Sequence, residues 1–155
     1  MSSKRLETAA SFISHFEHLD ASILETILAD NYFHQLAPGA LTGQGPSDKR
    51  GLIEFVTSMK TMMTGSPMVA KQIVDSESSN AVTIWASGQL KFRDELMDEQ
   101  GDWDCPGEYM FILFMDETGE KIVKTIEFVD SKAADRTLEL FTRAGENLSK
   151  ASKAA

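Results

Sequence analysis

The chain has 155 residues, 42% of them apolar and 25% charged, with a formal net charge of −9. That length and balance suit one globular domain spanning residues 1–155, with a core of its own. The acidity excludes nucleic acid and anionic membrane surfaces as partners, because both reward basic proteins, and no apolar run nears the roughly 18 residues of a membrane span.

Residues 6–19 open the chain with Leu6, Ala9, Ala10, Ile13, Phe16 and Leu19 at helical spacing. The residues before them hold no apolar signal core, so the sequence points to a cytoplasmic protein. His15 and His18 lie one turn apart on this helix, but no third ligand is evident, and the two are read as a solvated pair rather than a metal site. Asp20 or Ser22 can cap a second short helix with the stripe Ile23, Leu24, Ile27 and Leu28. An extended piece from Tyr32 to Leu36 follows, then a loop rich in breakers at Pro38, Gly39, Gly43, Gly45 and Pro46. Ser47 can start a third helix, striped by Leu52, Phe55, Val56, Met59 and Met63 and closed by Gly65 and Pro67.

Beyond this point the period changes. Met68–Asp75, Ala81–Phe92, Gly107–Met115 and Glu120–Asp130 read as four strands, with turns at Ser76–Asn80 and Asp116–Gly119 that pair neighbours antiparallel. Arg93–Asp104 is dense in acids and reads as a solvated loop. Cys105 is the lone cysteine, so it forms no internal disulfide and fits a reducing compartment. It lies before Pro106 with no histidine nearby, and is read as passive. Ser131 can cap a last helix with Ala134, Leu138, Phe141 and Leu148 on one side, and residues 149–155 read as a fraying tail. Glu108–Phe114 and Lys121–Val129 are apolar on both faces, whereas a sheet with one wet face alternates. A homodimer formed sheet to sheet would cover the second face.

Two segments carry a family resemblance. Tyr32-Phe33-His34-Gln35-Leu36-Ala37-Pro38-Gly39-Ala40-Leu41 resembles the first strand and following loop of small fungal SnoaL-like proteins. Gly119-Glu120-Lys121-Ile122-Val123-Lys124-Thr125-Ile126-Glu127-Phe128-Val129-Asp130-Ser131 resembles their last strand, running into a helix at an Asp-Ser step. The order of elements is similar to the SnoaL-like branch of the nuclear transport factor 2-like superfamily along nearly the whole chain. The resemblance implies an α+β cone, a half-barrel in which a curved antiparallel sheet wraps around N-terminal helices and a C-terminal helix closes it. The superfamily holds polyketide cyclases, ketosteroid isomerase, scytalone dehydratase, limonene-epoxide hydrolase and non-catalytic transport factors, so fold does not assign the reaction. Its fungal members most similar to this chain serve terpenoid and indole-alkaloid pathways. The epoxide hydrolase's interior Asp-Arg-Asp group is missing, since Arg93 lies at a strand end. The dehydratase's second-half histidine is missing too, and so is the arginine that fungal isomerases carry near the first strand, where His34 and Gln35 stand instead.

Glu127 is the sharpest candidate for chemistry. It sits mid-strand among apolar residues, where burial makes a carboxylate a usable acid or base, and the resemblance places a carboxylate at this position. Tyr109 can share its face and donate to a developing oxyanion. His34 is a third candidate, as base or proton donor; Gln35 points the opposite way in a strand, so only one of the two faces a pocket. Met59, Met63, Trp85 and Phe111 are expected to line an apolar cavity for a small apolar substrate. No metal ligand set, phosphate loop or cofactor motif is present in the sequence. The expected function is cofactor-free isomerisation or cyclisation of a natural-product intermediate. A binding module without turnover is the alternative, and a dehydratase or hydrolase is a third.

Overall fold

The computed structural model describes residues 2–41 and 47–155. Helix α1 spans Lys4–His15 and begins where the Ser3 side chain accepts a hydrogen bond from the Leu6 amide. Its buried face is Thr8, Ala9, Phe12 and His15, rotated from the stripe expected through Ala10 and Ile13. Phe12 decides the rotation, because its ring meets Phe111 edge-on at 5.2 Å in the middle of the core. Helix α2, Ala21–Ile27, is capped by Asp20, and α3, Lys49–Met59, by Asp48. The last helix, α4, covers Ser131–Ala154 and is capped by Asp130, whose carboxylate accepts from the Lys132 and Ala133 amides. Asp48 and Asp130 stand where Ser47 and Ser131 were expected to cap. A carboxylate accepts from the same amides and also answers the positive end of the helix dipole.

Six strands form one curved, unclosed sheet in the order β2-β1-β8-β7-β5-β4. These are β1 Leu28–Ala37, β2 Ser47–Asp48, β4 Met68–Ser76, β5 Ala81–Gln89, β7 Pro106–Met115 and β8 Ile122–Val129. Strands β3, Met63–Gly65, and β6, Lys91–Phe92, make a separate small ribbon. The expected strand Ala81–Phe92 is therefore two. The β5 ladder ends at the pair Gln89–Pro106, where the proline has no amide hydrogen with which to continue. The expected extended piece at Tyr32–Leu36 is a ten-residue strand, and β1 runs parallel to β8. No hairpin joins these two, so nothing local forces them antiparallel. Of the breaker-rich loop, Gly43, Gly45 and Pro46 lie outside the described residues.

Helices α1 to α3 fill the concave side of the sheet. Phe12, Leu24, Tyr32, Met63, Phe111 and Ile122 are among the buried side chains that join there in one cluster. Burying each such large side chain contributes about 1.5–3 kcal/mol.

Helix α4 departs from expectation in two respects. It runs to Ala154, with Leu138, expected on its apolar side, 68% exposed and with Leu140 and Ala144 buried in its place. The acidic segment 93–104 is not simply solvated. It contains a short 3-10 turn, Asp94–Leu96, with Leu96 buried, and it is tied to α4. Arg143 Nε donates to Asp98 Oδ2 at 2.9 Å, and Asn147 donates to both Leu96 O and Asp98 Oδ2 at 2.9 Å. Trp103 meets Phe92 at 5.2 Å between ring centres, and the Arg143 guanidinium lies over the Trp103 ring. Cys105 is buried, its Sγ 3.3 Å from Thr137 Oγ1. Among the described residues no helix is long and apolar enough to cross a membrane.

Candidate active site

Strand pairing fixes which side chains meet inside the cone. Across β7 and β8, Tyr109 pairs with Val129, Phe111 with Glu127 and Leu113 with Thr125. Across β1 and β8, His34 pairs with Thr125 and Leu36 with Glu127. Directly paired residues point to one side of a sheet, so His34, Tyr109, Phe111, Thr125 and Glu127 share the concave face. Gln35 pairs with Ile126 and is exposed on the other face.

His34 Nε2 lies 3.0 Å from Glu127 Oε2, and the two side chains keep 13% and 18% of their surface exposed. The pair is thus recessed but reachable. Behind it the Tyr32 hydroxyl sits 3.1 Å from His34 Nδ1. Tyr32 is buried, and burial pushes its phenol well above the ordinary range. The neighbouring Thr125 hydroxyl works the other way, and the Glu127 charge adds to the rise. Thr125 Oγ1 is buried and has no hydrogen-bond partner, although it lies near enough to the Tyr32 hydroxyl to act on it. Tyr109 stacks on Phe111 at 6.1 Å with the rings 10° apart. Glycines make room for it: a Cβ at Gly107 would stand 3.1 Å from the Tyr109 hydroxyl, and one at Gly88 would stand 3.1 Å from the ring. Burial first, and the Glu127 charge second, push this phenol up to about 12. Tyr109 therefore keeps its proton at neutral pH and is a donor.

Three placements differ from expectation or were missed. Trp85 pairs with Met110 on the convex face and is 39% exposed, so it forms no wall of the interior. Both faces of these strands are apolar, and an aromatic side chain alone does not tell inside from outside. His15 is not solvated. It is buried against Phe16, with ring centres 4.0 Å apart, and its Nδ1 faces the Phe12 carbonyl. Burial lowers it to about 4, against the opposing pull of the Phe12 carbonyl, Glu127 and Asp20. Only His18 of that pair is exposed. Tyr32 and Thr125 were missed, although the alternation of strand residues puts them beside His34 and Glu127. Met63 is buried and Met59 packs against the same cluster as Phe111. The ion-pair partner of Glu127 is His34, while Lys124, its neighbour along the chain, lies over Phe33 and Phe114.

Among the described residues no three or more His, Cys, Asp or Glu side chains gather as metal ligands would. A cleft of ≈ 680 Å³ lies away from this cluster, between α4 and residues 98–100. Its lining is mostly charged and offers none of the interior groups.

No family model matches the sequence, and no curated protein matches it. Solved structures do match in shape. A nuclear transport factor 2-like protein from Burkholderia pseudomallei matches with a TM-score of 0.67 at 12% identity, over 87% of this chain and 97% of that one. The fold is that of the nuclear transport factor 2-like proteins. BvnE pinacolase from Penicillium brevicompactum shares this fold with a TM-score of 0.78 at 17% identity, over 92% of this chain and 96% of that one. AusH from Aspergillus nidulans matches with a TM-score of 0.69 at 20% identity, covering 83% and 84% of the two chains. In this chain the concave face of the sheet carries the His34–Glu127 pair.

Proposed function

We propose that the chain is an enzyme that isomerises or cyclises an apolar natural-product intermediate by moving a proton, without a cofactor. The observation that carries this reading is the His34–Glu127 pair, 3.0 Å apart and recessed in an aromatic interior. A carboxylate there takes a proton from a carbon or hydroxyl of the substrate and returns it at a second position. Such a reaction is redox-neutral and leaves Glu127 as it began. His34 holds one carboxylate oxygen in place. Tyr109, stacked on Phe111 across the strand from Glu127, donates its hydroxyl hydrogen to the substrate oxygen on which negative charge develops. Phe111 and its apolar neighbours exclude water, which strengthens each of these interactions. The shared fold with a protein described as a pinacolase supports the reaction class, and the SnoaL-like motifs around His34 and Glu127 support the substrate class.

The test uses a polycyclic β,γ-unsaturated ketone, whose conversion to the conjugated isomer needs only a proton moved between two carbons. The protein should accelerate the rise in ultraviolet absorbance, and a chelator should not alter the rate. Saturable binding of the ketone with no conversion would favour a binding module instead.

A further inference from the structure

His34 Nε2 faces a carboxylate at 3.0 Å. An ionised carboxylate only accepts hydrogen bonds, so the nitrogen that faces it carries the hydrogen. The opposite tautomer would set two lone pairs against each other. On the far side of the ring the buried Tyr32 hydroxyl stands 3.1 Å from Nδ1. A neutral ring with its hydrogen on Nε2 leaves Nδ1 bare, and a phenol that keeps its proton donates to a bare nitrogen. Thr125 Oγ1 is the competing acceptor. It is buried, unpartnered and directly opposite His34 in the ladder.

We propose that Tyr32 is a positioning residue: by donating to Nδ1 it holds His34 as the neutral Nε2–H tautomer, which occupies Oε2 of Glu127 and leaves Oε1 to meet the substrate. This deepens the acid-base reading above and rests on it for its consequence in turnover, but the tautomer itself is a property of the resting protein. Tyr32, His34 and Glu127 form one line in which each donor has one acceptor. A ring free to switch tautomers would turn a lone pair toward the carboxylate and loosen it. Wrongly held histidine tautomers are known to cost far more activity than their effect on structure suggests.

The experiment is long-range ¹⁵N–¹H correlation on the full chain at pH 8. Of its three histidines, His34 is assigned by subtraction with His15→Gln and His18→Gln. The native spectrum should show a protonated Nε2 and a bare, hydrogen-bonded Nδ1. In Tyr32→Phe the Nδ1 signal should shift toward that of a free bare nitrogen, and the two tautomers should mix. Thr125→Val should leave the native pattern unchanged, since it removes only the competing acceptor. A hydrogen on Nδ1 in the native protein, or a Tyr32→Phe spectrum identical to the native one, would overturn the proposal. So would a Thr125→Val spectrum with a changed tautomer, because Tyr32 would then be donating to Thr125. Kinetics separate this failure from that of the functional reading. A fixed tautomer with turnover indifferent to Glu127 would leave Tyr32 positioning a pair that does no chemistry. If both readings hold, Tyr32→Phe lowers kcat while KM changes little.

Discussion

Glu127 was visible in the sequence because a carboxylate in the middle of an apolar strand is costly unless it is partnered. Its partner was harder to see. His34 and Glu127 lie on the first and last strands, and only the parallel β1–β8 register brings them together. His15 was misjudged for a related reason. A histidine near a helix end reads as solvated until the helix is rotated by the ring it must bury, here Phe12. Its burial has a consequence for stability. The ring is neutral when folded, near 4, but titrates at its ordinary 6.5 when unfolded. Between these values only the unfolded chain takes up the proton, so stability is fully present above pH 6.5 and falls as the pH drops toward 4. The loss is on the order of 3 kcal/mol. Urea unfolding at pH 7 and pH 5 should show much of this fall in the native protein and a flatter response in His15→Phe. Equal slopes in the two would show that another group carries the acid sensitivity.

Strands and helices were mostly readable from their periods, and the misses have local causes. Pro106 ends the β5 ladder, and aspartates displaced serines as caps because charge adds to hydrogen bonding at a helix start. The segment 93–104 looked solvated since its acids dominate the composition. Yet Leu96 and Trp103 anchor it, and hydrogen bonds from Arg143 and Asn147 of α4 lower the pKa of Asp98. Arg143→Ala removes both the ion pair and the cation over Trp103. Hydrogen exchange in residues 93–104 should then quicken while β7 and β8 stay protected. An unchanged segment would mean that Leu96 and Trp103 hold it alone.

At the scale of the whole molecule, the doubly apolar strands pointed to a covered second face. Trp85, Met110 and Phe128 form a continuous row across β5, β7 and β8 on the convex side, all three exposed in the single chain. Apolar rows of this kind are unusual on a protein that stays monomeric. A second copy is the occupant this account predicts. Sedimentation at micromolar concentration should give roughly twice 17.1 kDa, and Met110→Lys should shift it toward the monomer. A native monomer would contradict it. The interior does not depend on that outcome, because His34, Tyr109 and Glu127 come from one chain.

The central claim is that Glu127 moves the proton, and one substitution bears on it most directly. Glu127→Gln keeps the shape and can still accept from His34 Nε2, but it removes the charge and the proton affinity. With the β,γ-unsaturated ketone as probe, the variant should fold and assemble as the native protein does while isomerising at least ~100-fold more slowly. A Gln variant that converts the probe at the native rate would contradict the account.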